Sequence, residues 1–280
     1  MSNPRLIVGG AVIVLLLCYL VIAPLVLAGT YKDKALPAQN KIAEKVTVLG
    51  EQYKRPVFTK VDTTAAADKA DLEATRKALN ETRDQFNQQK GDLTGFVKLP
   101  LMGVNGKYAE AITASKDAKE WTTKTEQLLT SADADLAYFE KSTTLNAKFE
   151  NLGQSLNPVS ENDSPEAIAQ KLDQFTAELD TALTEAKQIQ PTESLKKSHE
   201  TQVSLVEKFS TQLKQFSAAV RAGNADQAEA ISVQLDATAT EGQNATNQAI
   251  IDYARDSTVN KLIAELSVLD RKLEDGFKRL

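Results

Sequence analysis

Very few side chains of this sequence belong to the types that usually carry catalysis or bind metals. Cys18 is the only cysteine and His199 is the only histidine. A centre built from several thiolates or imidazoles, such as a zinc or iron–sulfur site, is therefore excluded, and a Ser-His-Asp triad would have to use His199. His199 is instead a candidate for ligand binding or pH sensing, because imidazole titrates near neutral pH.

Other chemically suggestive patterns are incomplete. Ser194 and Lys197 have the S-x-x-K spacing of the nucleophile motif in penicillin-binding proteins, but the S-D-N and K-T-G motifs that accompany it are absent. Glu161, Asp163 and Glu166 form an acidic cluster without the loop pattern of a calcium site. Nucleotide-binding glycine motifs are absent as well. The sequence thus predicts neither an enzyme nor a bound cofactor.

The overall composition indicates a folded protein that does not bind nucleic acid. The chain has 280 residues, of which 42% are hydrophobic and 25% are charged, and its net charge is −5. A mildly acidic chain of this kind is a poor general binder of nucleic acid. The length allows one elongated domain or two ordinary ones.

The segment Leu6–Ala28 is apolar along its whole length and contains no charged residue. A helix of this length crosses the hydrocarbon core of a bilayer, and no soluble helix needs to be apolar on every face. We expect an uncleaved transmembrane anchor, which makes the lipid bilayer a partner of the chain. A signal peptide cleaved after Ala28 and a lipoprotein signal modified at Cys18 are the alternatives.

The orientation of this anchor is not fixed by the flanking charges. Arg5 precedes the segment, whereas Lys32 and Lys34 follow it, so the positive-inside rule read literally places the large C-terminal part in the cytoplasm. Long domains, however, translocate largely regardless of their charge. We expect a single-pass protein of the cell membrane with an extracytoplasmic C-terminal part. One anchor followed by a helical region is similar in layout to many bacterial envelope proteins.

The rest of the sequence predicts an all-α fold, because good helix formers dominate and no stretch alternates apolar and polar residues. The first three helices are expected over about 38–53, 64–89 and 107–152. Pro37 is expected to precede the first of them and Gly91 to end the second.

The third of these helices has a weak stretch. Ser131–Asp135 is its least helical part, and we expect Asp133 and Asp135 to lie in a solvated turn.

From residue 165 onward, apolar residues recur at alternating intervals of three and four. The first such series is Ile168, Leu172, Phe175, Leu179, Ala182, Ala186 and Ile189. Ser164 and Pro165 are a strong start signal for this helix, and Gly223 is expected to end the next one. Narrow apolar stripes must be covered by other helices, so we expect an antiparallel bundle. A parallel coiled-coil dimer is the alternative.

These signals divide the chain into four predicted regions, with the possibility that the helices form two sub-bundles. They are the anchor 1–28, a first helical region 29–152, a linker 153–164 and a C-terminal helical bundle 165–280.

Two groups of residues are candidates for binding. Six large apolar residues between the second and third helices follow no helical spacing: Phe96, Val97, Leu99, Leu101, Met102 and Val104. They either contact a partner or the membrane, or fold over the end of the bundle and fill its core. His199 and Gln202 are polar residues on an otherwise apolar stripe, where a ligand between helices would meet them.

The function predicted from these features is a membrane-anchored helical bundle that acts as a non-enzymatic interaction or scaffold protein of the cell envelope, with a protein partner. The alternative is an extracytoplasmic, sensor-like module that holds a small molecule between its helices. A carboxylate-based hydrolase would need two acids in one pocket, and no spacing in the sequence nominates such a pair.

Overall fold

The computed structural model describes residues 18–60, 65–99, 105–155 and 164–280 of the chain. All regular structure in these residues is helical, which confirms the predicted all-α fold. A π-helical turn, Cys18–Ile22, leads into α1 (Ala23–Gln52) and the short α2 (Pro56–Thr59). The helices that follow are α3 (Ala65–Thr94), α4 (Gly106–Ser155), α5 (Pro165–Gln188), α6 (Glu193–Arg221), α7 (Ala225–Asp256) and α8 (Thr258–Arg279).

The start signal predicted at Ser164 and Pro165 and the helix end predicted at Gly223 are confirmed. The side chain of Ser164 accepts a hydrogen bond from the first turn of α5, and Pro165 occupies the first position of that helix. The side chain of Asn224 accepts a hydrogen bond of 3.2 Å from the backbone N–H of Gln227 at the start of α7. Gly223 has a φ of +64°, the left-handed conformation that commonly follows a helix.

Helix α1 is longer than the sequence predicts. Pro37 does not precede a helix but lies inside α1, where its ring is exposed and the neighbouring Ala35 and Ala38 are buried. A proline removes one backbone hydrogen bond from a helix, and the buried packing of the opposite face outweighs that loss here.

Helix α3 also continues beyond its predicted end. Gly91 lies inside it, and the helix runs to Thr94. Leu93 is fully buried, and its carbonyl oxygen accepts a hydrogen bond of 2.6 Å from the hydroxyl of Tyr31. This contact satisfies one of the last carbonyl groups of α3, which a helix cannot satisfy internally.

The described helices form two compact units, each assembled from segments that are distant in the sequence. The first unit comprises the chain up to Glu51 together with Lys77–Ser131 and Lys261–Leu280. The second comprises Gln52–Arg76 and Ala132–Asn260. The predicted regions are continuous segments instead, and the predicted linker starts inside α4, which runs to Ser155. The rest of that linker, 156–163, lies outside the described residues.

The first unit packs parts of α1, α3, α4 and α8 as antiparallel neighbours. In each pair of helices, a contact at a higher residue number on one helix is made with a lower residue number on the other. Helices α1 and α3 meet at Tyr31 with Leu93 and at Lys45 with Glu81. The contacts of α8 follow the same rule: Gln39 with Asp270 and Gly50 with Ile263 for α1, and Asp117 with Lys272 and Lys124 with Glu265 for α4. The helical bundle predicted from the apolar spacing is therefore confirmed.

In the second unit, α6 packs against both α5 and α7, and α2 contacts α7. Helices α5 and α6 are antiparallel, because their polar contacts join Glu166 with Arg221, Asp173 with Ser217, Asp180 with Ser210 and Lys187 with Glu207. The apolar series predicted on α5 is buried from Leu172 to Ile189, and Ile168 is half-buried.

Several buried threonines satisfy their hydroxyl groups within their own helix. Thr75, Thr125 and Thr176 donate to the carbonyl oxygens four residues earlier, over 2.7, 2.9 and 2.6 Å. All three side chains are buried, yet none of these bonds involves a neighbouring helix.

The predicted anchor lies partly outside the described residues, because the description begins at Cys18 and omits Leu6–Leu17. Among the residues that are described, no helix combines the length and the apolar character needed to cross a membrane. The predicted boundary after Ala28 falls inside α1, which continues without a break to Gln52.

Candidate functional site

The two polar residues predicted to face a ligand, His199 and Gln202, line the same cavity in the second unit. This cavity, here called the His199 cavity, lies between α4, α5, α6 and α7 and has a volume of about 240 Å³. Most of its wall is apolar, and Leu205 and Val206 are among the lining residues. A mostly apolar hollow with a few polar groups is the usual form of a small-molecule site.

A second cavity adjoins the first. It has a volume of about 140 Å³, is lined in part by Phe58 of α2, and is called the Phe58 cavity below. The two cavities share five lining residues: Tyr138, Ser142, Asn146, Gln202 and Thr246. They therefore form neighbouring parts of one hollow region in the second unit.

His199 forms a pair with Tyr138. Its Nδ1 atom lies 3.3 Å from the Tyr138 hydroxyl, and the two rings meet edge to face with their centroids 5.6 Å apart. Burial lowers the pKa of His199 and raises the pKa of Tyr138. Both groups are therefore uncharged near neutral pH. Tyr138 can donate to Nδ1, and the backbone of Ala186 accepts a hydrogen bond from the His199 ring.

Three aromatic rings of the Phe58 cavity contact one another. The ring centroid of Phe139 lies 5.0 Å from that of Phe58 and 5.1 Å from that of Tyr253, edge to face in both cases. Phe58 and Tyr253 are nearly parallel, with an interplanar angle of 27° and centroids 6.5 Å apart. Residues from three different helices thus supply an aromatic wall.

Two oppositely charged residues also line the Phe58 cavity. The Oδ1 atom of Asp68 is buried and has no hydrogen-bond partner among the described residues. Lys60 is exposed. Sequence reasoning did not nominate Asp68, because its helix carries many acidic residues and nothing local distinguishes this one.

The prediction that Asp135 lies in a solvated turn is wrong. Helix α4 is continuous there, and Asp135 is 1% exposed. Its carboxylate accepts hydrogen bonds of 2.6 Å from Thr192 and 2.8 Å from the hydroxyl of Tyr253. Burial raises the pKa of Asp135, and the two hydroxyl donors oppose that effect. Asp135 therefore connects α4 to α7 and to the residue that precedes α6.

Asp133 is not part of a turn either. It forms an ion pair with Arg76 of α3, whose guanidinium also pairs with Glu140 at 2.8 Å. Because these side chains are only partly buried, each ion pair contributes little to the free energy of unfolding.

The predicted contact segment is described only in part. Leu101, Met102 and Val104 lie outside the described residues. Phe96 is half-buried, and its ring lies 4.9 Å from that of Tyr31 and 5.3 Å from that of Tyr108. The first of the six apolar residues therefore packs on its own bundle.

The next residues of that segment are held by the hydroxyl of Tyr108. This hydroxyl donates to the carbonyl of Val97 over 2.9 Å and accepts from the backbone N–H of Leu99 over 2.6 Å. The side chain of Val97 remains 61% exposed. Contact with a partner and filling of the bundle end both remain predictions for the segment as a whole.

Metal binding gains no support from the arrangement of side chains. Within the described ranges, no group of three or more histidine, cysteine, aspartate or glutamate side chains is placed to hold a metal ion.

The chain matches no known protein family, no curated protein and no solved structure.

Proposed function

We propose that this chain is a membrane-anchored, non-enzymatic helical-bundle protein of the cell envelope that acts by binding a partner. The observation that supports the anchor is a group of exposed apolar side chains at the start of the described chain: Tyr19, Val21, Ile22, Leu25 and Val26, each between 38% and 60% exposed. Elsewhere in the described residues, exposed large apolar side chains occur singly. An apolar group of this kind is unfavourable in water and is stabilised by lipid.

Lysine substitutions test the anchor. Val21→Lys with Leu25→Lys introduces two charges into the exposed apolar group, and we expect the full chain to leave the membrane fraction after an alkaline wash. Val233→Lys with Val268→Lys is the control, because those valines on α7 and α8 are at least as exposed as Val21 and Leu25. If the first variant stays in the membrane like the control, lipid does not hold this part of the chain.

A reporter fused after Leu280 tests the orientation. We expect a reporter that is active only outside the cytoplasm to be active in this fusion. Activity of a cytoplasm-specific reporter instead would overturn the extracytoplasmic placement and would restrict the partners that the helical part can reach.

The segment from Phe96 to Val104 is the proposed site of contact with the partner or the bilayer. We expect Leu99→Ser with Leu101→Ser to leave the melting temperature nearly unchanged and to reduce partner capture or membrane co-sedimentation. Val233→Ser is a control of the same polarity at an exposed position outside the segment. A loss of several degrees in the double variant alone would show that the segment fills the bundle end instead.

A second candidate function is the binding of a small molecule in the second unit. The observation that favours it is that His199 and Gln202, chosen from the sequence alone, line one cavity. Thermal melting of the full chain against a panel of metabolites tests it, because a ligand at about 100 times its Kd stabilises the folded state by roughly 2.7 kcal/mol. If no compound raises the melting temperature, ligand binding is rejected and the interaction function is the one candidate that is retained.

A further inference from the structure

The Phe58 cavity is lined by the carboxylate of Asp68, one of whose oxygens has no hydrogen-bond partner among the described residues. The Oδ1 atom of Asp68 is buried although the residue as a whole is only half-buried, and that atom accepts no hydrogen bond. Asp68 lies in the first turn of α3, where the helix dipole favours a negative charge. The dipole does not supply a hydrogen bond to the Oδ1 atom. A carboxylate oxygen removed from water is unfavourable unless a cation or a donor approaches it.

The aromatic wall of the same cavity adds a second attraction for positive charge. Phe58, Phe139 and Tyr253 line it, and their rings contact one another. The face of an aromatic ring carries negative potential and attracts weakly hydrated cations such as alkylammonium groups. Ser142 and Asn146 add neutral polar oxygens to the lining.

We infer that the Phe58 cavity binds a small organic ammonium ion, with its nitrogen against Asp68 and the aromatic rings. The volume of about 140 Å³ suits an alkylammonium head group and is too small for a nucleotide. The adjoining His199 cavity, with its largely apolar wall, would receive an uncharged substituent of the same molecule. Lys60 is exposed, so its ammonium group can remain in solvent when the cation binds.

This inference rests on the second candidate function. Its test uses the full chain in maltoside micelles and two probes of the same shape, choline and its uncharged isostere 3,3-dimethyl-1-butanol. Because charge is the difference between them, we expect calorimetric titration to show choline binding at least about tenfold more tightly. Equal affinities for the two probes would overturn the inference.

Two substitutions with opposite expected effects on choline affinity sharpen the test. Asp68→Asn keeps the shape of the side chain and removes its charge, and we expect it to weaken choline binding at least about tenfold. Lys60→Gln removes a like charge and should strengthen binding about two- to threefold. Asp236→Asn is the control, because it removes an exposed carboxylate of α7 that does not line the cavity. An anion site would reverse both effects and would contradict the inference.

The outcome also separates this inference from the function on which it rests. If a neutral or anionic compound stabilises the protein and His199→Ala abolishes that effect while choline does nothing, ligand binding stands and the ammonium site is refuted. If no compound stabilises the protein, both the ammonium site and the small-molecule binding function are refuted.

The ammonium group could belong to a free amine or to a lipid head group. Bilayer discs of phosphatidylglycerol with and without phosphatidylcholine distinguish these sources. Free choline that binds only in discs without phosphatidylcholine indicates a lipid head group, and equal binding in both indicates a soluble amine. Either result supports the inference, whereas no binding in either kind of disc contradicts it.

Discussion

The two compact units differ in how their interiors are filled. Most of the largest fully buried side chains belong to the first unit: Trp121, Tyr108, Phe86, Phe277, Ile42, Leu49, Leu79, Leu93 and Leu128. Among the described residues, two of these side chains, Phe58 and Leu136, belong to the second unit, which contains the His199 and Phe58 cavities. Dense packing favours stability, and open space between helices favours binding. The contrast is what we would expect if the first unit maintains the fold and the second performs the proposed ligand binding.

Matched leucine truncations provide the strongest test of this contrast. Leu128→Ala removes a fully buried side chain from the first unit, and we expect a loss of about 2–5 kcal/mol in the free energy of unfolding. Leu205→Ala removes the same atoms from the wall of the His199 cavity, where the side chain is only half-buried. We expect less than half of that loss, measured by urea unfolding of the full chain. Equal losses would mean that the two interiors are packed alike.

A second test compares one aspartate of each unit, the buried Asp135 and the half-buried Asp270. Asp135→Ala leaves the hydroxyls of Thr192 and Tyr253 without their acceptor, and we expect a loss of about 1–3 kcal/mol. Asp270→Ala in the first unit should cost less, because Gln39 keeps its hydrogen bond of 2.8 Å to the backbone carbonyl of residue 270.

The loss caused by Asp135→Ala should also depend on pH. Burial raises the pKa of Asp135 above its ordinary value of 3.8, so the folded state binds its proton more tightly than the unfolded state does. The stabilisation from this carboxyl is complete below pH 3.8 and declines as the pH rises through the folded-state pKa. Urea unfolding of the wild type and the variant at several pH values measures this, and a difference that grows with pH would contradict it.

The smallest expected effect concerns His199. Burial lowers its pKa below the ordinary value of 6.5, so the unfolded state binds a proton first as the pH falls. The stability that this residue confers is complete above pH 6.5 and is lost as the pH falls through the folded-state pKa. His199→Gln should remove this dependence from melting curves recorded between pH 7.5 and 5.5, with little change at the upper end. A dependence that survives the substitution would assign it to another group.

Much of the fold could be predicted from local signals. The spacing of Leu172, Phe175 and Leu179 indicates a helix because side chains three and four residues apart share a face. Ser164 and Gly223 mark ends because their conformations suit capping. The helix ends predicted at Pro37 and Gly91 are wrong, because both residues lie inside helices. Tertiary packing outweighs a local preference where the opposite face of the helix is buried.

The candidate site was predictable only where its residues lie on one helix. His199 and Gln202 stand out because they interrupt an apolar stripe on α6. Asp68 and Phe58 belong to other helices, and only the fold brings them to the same hollow region. Asp135 was misassigned for the same reason, because its partners are 57 and 118 residues away in the sequence.

The threonines that bond within their own helices have a consequence for how this sequence can change over time. The hydroxyls of Thr75, Thr125 and Thr176 donate to carbonyls four residues earlier in the same helix. Exchange for alanine or valine would leave no polar atom stranded on a neighbouring helix, so each position can drift without a compensating change elsewhere. These three buried positions can therefore change one at a time, while cross-helix contacts such as that of Tyr31 with Leu93 maintain the register of the bundle.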